Sequence, residues 1–127
     1  MSLILSKVLS KLRWPLFLAY AVLLYITFTL PVEKIPPQIY QINDKLLHFL
    51  CFVILALLGF QAFSHSAARV FSVYAEGKSA AFSLFYGAFL EAVQQNVPGR
   101  FASFNDWLAD AAGVLAAFLL LWALPGP

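Results

Sequence analysis

Charged residues are scarce in this chain, and their scarcity excludes an ordinary water-soluble protein. Only 11% of the 127 residues are charged, against roughly 25% in soluble domains. The hydrophobic fraction is 62%, against roughly 45–50% in soluble domains. This composition is therefore not that of a water-soluble protein. The length suits one domain, residues 1–127, and hardly allows a second.

Positive charge and cysteine are also in short supply. The formal net charge is only +2 and the Lys and Arg residues are scattered, which excludes the basic surface of a nucleic-acid-binding protein. The single cysteine, Cys51, excludes an internal disulfide and a cysteine-based zinc site. It lies in an apolar run, where a small buried hydrophobic residue is the simplest interpretation.

Long apolar stretches dominate what is present. A transmembrane helix needs about 20 mainly apolar residues, and the sequence predicts four, at residues 14–30, 46–63, 79–97 and 105–124. The stretches lack the two-residue alternation of membrane-spanning strands. We therefore predict an all-α, polytopic membrane protein with four transmembrane helices in an antiparallel bundle. The connector at residues 64–78 has room for a short interfacial helix.

The distribution of Lys and Arg predicts the orientation in the membrane. The first apolar stretch follows a basic segment and has no A-x-A-like cleavage site after it, so we expect an uncleaved signal anchor. Cytoplasmic loops are enriched in Lys and Arg. With both termini inside, the cytoplasmic side holds five of these residues and the outer side three: Lys7, Lys11, Arg13, Arg69 and Lys78 against Lys34, Lys45 and Arg100. We therefore predict a multi-pass membrane protein with both termini in the cytoplasm.

Most of the remaining polar residues lie near the extracytoplasmic ends of the second, third and fourth predicted helices. The set comprises Asp44, Lys45, His48, Glu91, Gln95, Arg100, Asp106 and Asp110. The helical rise places His48, Glu91 and Asp110 at a common depth, roughly 7–11 Å inside their helices. Residues four apart share a helix face, so each of these helices can direct a pair of polar side chains into one pocket. Ionisable groups within a membrane are costly and indicate function by default.

Structural roles are the alternative for each of these residues. Asn43 is a plausible N-cap for the second helix with Asp44 in its first turn, and Ser103 with Asp106 has capping-box spacing. The structural alternative for His48 is a buried histidine whose hydrogen bonds are satisfied. The alternative for Glu91 is an ion pair with Arg100 or Lys45 that fixes the bundle. Two glycines near the cluster, Gly87 and Gly113, are explained by close helix packing.

Several residues recur in the order and approximate spacing of a known family. They are DKLLHF at residues 44–49, Glu91, Gln95, Pro98-Gly99-Arg100, Ser103, Asp106 and Gly113. At these positions the chain resembles the VanZ-like family of small bacterial membrane proteins, named after a teicoplanin-resistance protein. The resemblance covers roughly residues 44–117. It implies a protein of the bacterial cell envelope and, for the founding member, reduced sensitivity to a lipid-tailed glycopeptide. The family usually has asparagine at the position of Asp110.

The first functional hypothesis is a membrane enzyme or lipid-handling protein that acts on an envelope lipid or a lipid-linked anionic head group. His48 and Glu91 would form the catalytic acid-base pair, because a partly desolvated carboxylate and imidazole can be tuned toward neutral pH. Lys45 and Arg100 would hold a phosphate or carboxylate, with Gln95 as a further ligand-binding residue. Asp44, Asp106 and Asp110 would orient the site or bind a divalent ion.

No metal or other cofactor is required by the spacing. If a divalent ion binds, the oxygen-rich residues suit Mg²⁺ or Ca²⁺. Membrane lipids are the expected partners. A second hypothesis is a small proton-coupled carrier that uses Glu91, because intramembrane carboxylates serve as proton relays. A third is a non-catalytic accessory protein whose polar cluster fixes the bundle or docks a partner.

Overall fold

The computed structural model describes residues 3–31, 33, 44–99 and 103–124, and within these ranges it is all-helical with no strand. The helices are α1 (Leu3–Thr29), α2 (Asp44–Ser64), α3 (Arg69–Ser72), α4 (Ala75–Gln94) and α5 (Phe104–Ala123). The all-α class predicted from the sequence is confirmed. The short helix α3 lies in the connector where a short helix was expected.

Three of these helices are long and apolar enough to cross a membrane: α1, α2 and α5. The fourth long helix, α4, has 20 residues but does not reach the same apolar character. Several of its polar residues are buried, namely Ser79, Ser83, Glu91 and Gln94. Some of the side chains that lower its hydropathy therefore point into the protein, whereas that of Glu76 is exposed. The crossing of the membrane by α4, and with it the four-span bundle, stays a prediction.

Two helices have bounds that differ from the predicted ones by three residues or more. The predicted first helix begins at residue 14, whereas α1 begins at Leu3 and contains Pro15. The apolar run marks only the lipid-facing part of a helix, and the Leu- and Lys-rich segment before it has strong helix formers. The predicted third helix covers residues 79–97, whereas α4 covers Ala75–Gln94. Its end is displaced because the residue before Pro98 is disfavoured in the α conformation.

Helix α2 lies at the centre of the protein and packs against each of the other four helices. Trp14 near the start of the apolar part of α1 packs edge-on against Phe63 at the end of α2. Phe28 at the end of α1 stacks on His48 near the start of α2. The two helices therefore run in opposite directions.

Helices α2 and α5 run in the same direction and in close contact. His48 lies against Asp110 at one end, and Phe60 lies against Phe118 at the other. Gly113 is the reason for the close contact, because a Cβ there would collide with the backbone of α2. The packing role predicted for this glycine is confirmed.

The exterior of the protein is apolar, whereas its interior contains charged groups. Large hydrophobic side chains are exposed along the long helices, among them Leu18, Val22, Ile54, Phe85 and Leu119. His48, Glu91, Asp106 and Asp110 are buried. An apolar exterior around a partly polar interior is the arrangement expected for helices in lipid.

Candidate functional site

His48 lies at the centre of the polar cluster, in the second turn of α2. It is 2% exposed, and the ring of Phe28 stacks on it at a centroid distance of 4.7 Å. Its Nδ1 atom is 2.8 Å from Oδ1 of Asp110, which is a buried hydrogen bond. Asp110 therefore fixes the orientation of the imidazole from α5, while α1 covers one face of the ring.

Three more carboxylates surround the imidazole at longer distances. Nε2 of His48 is 3.8 Å from Oδ2 of Asp44 and 3.9 Å from Oδ2 of Asp106. Nδ1 is 3.9 Å from Oε1 of Glu91. These separations exceed hydrogen-bond length. The two residues of the predicted acid-base pair, His48 and Glu91, are thus adjacent but not directly hydrogen-bonded. The residue that does form a hydrogen bond with His48 is Asp110.

The two oxygens of Glu91 have different environments. Oε2 accepts a hydrogen bond of 3.1 Å from the backbone N–H of Ser103, at the start of α5. Oε1 is buried and has no hydrogen-bond partner in the described part of the chain. One oxygen of Glu91 therefore has a structural role, and the other points into the cluster without a donor.

Ser103 begins α5 in the way that its spacing from Asp106 predicts. Its side chain accepts a 3.0 Å hydrogen bond from the backbone N–H of Asp106, so the predicted N-cap is confirmed. In a complete capping box the acidic side chain at the third position would receive the N–H of the cap residue. Here Glu91 of α4 receives that N–H instead. The carboxylate of Asp106 is therefore not used in capping α5 and can interact with other residues of the cluster.

Asp106 is 5% exposed and is paired with Lys45 of α2. The ammonium of Lys45 also lies 3.8 Å from Oδ2 of Asp44. Both Lys45 and Asp44 have side chains about half exposed, so they form the mouth of the cluster. Within the described residues the cluster contains four carboxylates and one ammonium, which leaves an excess of negative charge around His48.

An open groove of about 410 Å³ adjoins the cluster between α4 and α5. It is lined by Ala88, Glu91, Ala92, Gln95, Ser103, Phe104 and Trp107. The indole of Trp107 is held by a 2.9 Å hydrogen bond to the carbonyl of Leu84 and stacks with Phe104. Glu91 is the charged residue that belongs to both the groove and the cluster. The groove thus joins apolar walls to a buried carboxylate.

Comparison with known proteins identifies the family of the chain. A family model described as VanZ/LLP1 matches residues 14–125. The chain belongs to the VanZ/LLP1 family. The resemblance predicted from residues 44–117 is confirmed, and the match extends over the apolar part of α1. No curated protein and no solved structure matches the chain significantly. Family membership and the apolar helices together make it a VanZ-like membrane protein.

The predicted site residues of this VanZ/LLP1 protein fall into three groups. His48, Glu91, Asp106 and Asp110 lie together in the buried cluster, with Asp44 and Lys45 at its mouth. Gln95 is exposed and lines the groove beside Glu91. Arg100 and the predicted N-cap Asn43 lie outside the described residues.

Two residues that position the cluster were missed by sequence reasoning. Gln94 is buried, and its amide donates a 3.0 Å hydrogen bond to the carbonyl of Phe28 near the end of α1. The signal was its spacing, because Gln94 continues the buried stripe of Ser79, Ser83 and Gly87 along α4. The stacking of Phe28 on His48 had no such signal, since nothing in the order of residues distinguishes this phenylalanine from the others of α1.

Gly87 gives Asp110 the room that it needs. A Cβ at Gly87 would lie 2.9 Å from Oδ2 of Asp110 and 3.2 Å from the ring of Phe52. Gly113 gives similar room against the backbone of α2. The small residues of this VanZ/LLP1 chain therefore set the distances between the helices that carry His48, Glu91 and Asp110.

Proposed function

We propose that this VanZ/LLP1 protein handles an envelope lipid or a lipid-linked anionic head group at the polar ends of α2, α4 and α5. The observation that carries the proposal is the position of Glu91, which lines an apolar groove and also belongs to the buried cluster. A groove with aromatic and alanine walls suits a lipid chain. The ammonium of Lys45, at the mouth of the adjoining cluster, suits an anionic head group.

The proposed placement in the membrane is supported by the apolar helices and by the distribution of Lys and Arg. The four long helices cross the bacterial cytoplasmic membrane in alternating directions, with both termini in the cytoplasm. The polar face of α4 supports its crossing, because Ser79, Ser83 and Glu91 are buried against other helices while Phe85 and Phe89 are exposed. Polar residues of a transmembrane helix are expected to face the bundle interior. The cluster then opens on the extracytoplasmic side.

The chemistry of the cluster combines an oriented imidazole with several carboxylates. The hydrogen bond between His48 and Asp110 directs the ring so that Nε2 faces the buried Asp106 and Asp44 at the mouth. A histidine oriented by a carboxylate is suited to proton transfer. Lys45 supplies positive charge at the mouth for the phosphate or carboxylate of a head group, and Arg100 of the adjoining loop is the second cation proposed for it.

The groove is tested by photo-cross-linking with a lipid of the proposed chemistry. The probe is a polyprenyl phosphate with a diazirine in its chain, added to the purified protein in neutral detergent, and the labelled peptides are mapped by mass spectrometry. We expect saturable labelling of the segment with Phe104 and Trp107. We also expect competition by unlabelled polyprenyl phosphate to be about tenfold stronger than by the polyprenol, because the phosphate adds charged contacts.

A matched pair of tryptophan substitutions provides the control. Ala92→Trp fills the groove from an exposed position in its wall, so labelling should fall about tenfold or more as the apolar burial of the lipid chain is lost. Leu119→Trp, on an exposed apolar surface of α5 away from the groove, should leave labelling unchanged. Labelling of the Ala92→Trp protein at the wild-type level would refute the groove, and equal competition by the polyprenol would refute the anionic head group.

The cellular role proposed from the family is a change in sensitivity to teicoplanin. Expression in a susceptible host should raise the teicoplanin concentration that inhibits growth, and the Ala92→Trp variant should lose this effect while the Leu119→Trp variant keeps it. Loss of the effect in both variants, with both proteins still in the membrane, would favour an accessory role in which the surface of the helices docks a partner.

A second candidate function is a small proton-coupled carrier. The observation that favours it is Oε1 of Glu91, which has no partner among the described residues, since a buried carboxylate oxygen without a donor is a candidate proton acceptor. Uptake of solute into vesicles driven by a proton gradient, and lost in Glu91→Gln, would establish the carrier. Binding of lipid without any gradient requirement would contradict it.

A further inference from the structure

We propose that the buried triad of His48, Glu91 and Asp110 binds one divalent cation of the Mn²⁺ or Zn²⁺ type. The three residues come from three different helices, and each offers one ligand atom such that all three atoms lie within 4.8 Å of one another. All three side chains are at least nine-tenths buried.

The unsatisfied oxygen of Glu91 is the observation that indicates a ligand. Oε1 of Glu91 is buried, has no hydrogen-bond partner among the described residues and lies 3.9 Å from Nδ1 of His48. A buried carboxylate oxygen without a donor or a cation is costly. Oε2 is already used by the backbone of Ser103, so a group bound at Oε1 would leave the cap of α5 intact.

The distances in the triad are close to those of a coordination sphere. Ligand atoms about 2.0–2.2 Å from one cation lie roughly 3.0–3.6 Å from each other when they are adjacent. The separation of His48 Nδ1 from Asp110 Oδ1 is 2.8 Å, and its separation from Glu91 Oε1 is 3.9 Å. Shifts of a few tenths of an ångström would bring both into range. Binding would displace the proton that His48 and Asp110 share, since ligands bind in their deprotonated forms.

The neighbouring triad of Asp44, His48 and Asp106 is a weaker candidate for the same ion. Its ligand atoms are similarly close, but the ammonium of Lys45 already lies between Asp44 and Asp106. The inner triad contains two carboxylates and no ammonium among the described residues. The excess of negative charge is therefore greatest around Oε1 of Glu91, which has no hydrogen-bond partner among the described residues.

The ligand set selects the type of cation. Imidazole favours Zn²⁺ and related transition metals, whereas carboxylates also suit Mn²⁺. The expectation of Mg²⁺ or Ca²⁺ from the sequence rested on carboxylates alone, and the position of His48 inside the set changes it. Glu91 lines the open groove, so an ion can reach the triad from that side.

A bound cation would also explain how an acidic cluster accepts an anionic head group. Four carboxylates repel a phosphate, whereas a divalent ion at the inner end of the groove attracts it and completes its own coordination with the phosphate oxygen. This role rests on the proposed function. The binding of the ion does not, and it is tested without any lipid ligand.

The test uses Mn²⁺ and the full-length protein in neutral detergent. Electron paramagnetic resonance measures the loss of the signal of free Mn²⁺, and Zn²⁺ is added as a competitor. We expect one bound Mn²⁺ per chain, displaced by Zn²⁺. Glu91→Gln and Asp110→Asn should each weaken binding by about tenfold or more. Glu76→Gln, at the other end of the bundle where Glu76 accepts a bond from Trp122, should have no effect.

A spectroscopic signature keeps the test decisive even if a ligand variant fails to fold. Pulsed measurements on bound Mn²⁺ should show coupling to an imidazole nitrogen in the wild-type protein and equally in His65→Gln, which lacks the other histidine. Absence of binding, absence of nitrogen coupling, or loss of binding in Glu76→Gln equal to that in Asp110→Asn would overturn the proposal. If Mn²⁺ does not bind but lipid labelling persists, the proposed ion is refuted while the proposed lipid-binding groove is retained.

Discussion

Substitution of Gly113 by alanine should separate α2 from α5 and thereby disturb the cluster. A Cβ at position 113 would collide with the backbone carbonyl of Phe49 and lie 3.1 Å from the backbone nitrogen of Val53. Backbone atoms within a helix cannot move aside as the end of a flexible side chain can. The whole of α5 must therefore shift away from α2, including Asp110, which lies one turn before Gly113.

The size of the effect follows from the cost of overpacking. Inserting a methyl group into a well-packed contact costs about 1–3 kcal/mol, which reduces the ratio of folded to unfolded protein roughly 5- to 150-fold. Gly77 provides a matched control, because a Cβ there would meet nothing within 4 Å. Alanine at position 77 should be neutral or stabilise α4 by up to about 1 kcal/mol.

The assay is reversible unfolding of the purified proteins in mixed micelles, followed by circular dichroism. Gly113→Ala should unfold at a lower denaturant concentration than the wild-type protein, and Gly77→Ala should not. Proximity of the helices is read independently from a disulfide engineered between the ends of α2 and α5, which should form more slowly in Gly113→Ala. If Gly113→Ala were as stable as Gly77→Ala, the close contact between the two helices would be refuted.

Two further predictions concern residues around the cluster. Lys45→Met removes the ammonium beside Asp106. Because Lys45 is half exposed, the substitution should lower the free energy of unfolding by about 1 kcal/mol. In the background of Asp106→Asn this loss should largely disappear, which a double-mutant cycle of unfolding free energies can measure. A cost that is the same in both backgrounds would contradict the ion pair. Gln94→Leu removes the hydrogen bond to Phe28 and should destabilise the protein by about 1 kcal/mol, whereas Gln95→Leu at the exposed neighbouring position should change stability by less than about 0.5 kcal/mol. Equal effects at the two positions would contradict the inward direction of Gln94.

The sequence predicted the elements of the fold better than their ends. Apolar runs located α2 and α5 to within two residues of their observed bounds. They placed the start of α1 too late, because hydropathy marks the part of a helix that lies in lipid and α1 continues through Lys7 and Lys11. The polar stripe of α4, formed by Ser79, Ser83, Glu91 and Gln94, lowers the hydropathy of this helix although the four residues are buried. A scale based on average polarity cannot distinguish polar residues that face a neighbouring helix from those that face water.

The candidate site was predictable in its membership and less so in its pairings. Common depth and four-residue spacing identified His48, Glu91, Asp106 and Asp110, since helix geometry fixes both quantities. The spacing did not specify which carboxylate would contact the imidazole. That choice depends on how far α5 approaches α2, and Gly113 sets this approach. The contribution of Phe28 depends on the packing of α1, which has no signature in local sequence.

The divided role of Glu91 determines which substitution is informative at this position. Glu91 receives the N–H of Ser103 with one oxygen and points the other, which has no partner among the described residues, into the cluster. It is therefore needed for the start of α5 and for the charge of the site. Alanine would remove both, so a loss of activity would not distinguish them. Glutamine keeps a carbonyl oxygen for Ser103 and places an amide group, which donates hydrogen bonds, toward His48 and Asp110. Because an amide has no charge and cannot act as an anionic ligand, Glu91→Gln separates the chemistry of the site from the role of Glu91 at the start of α5.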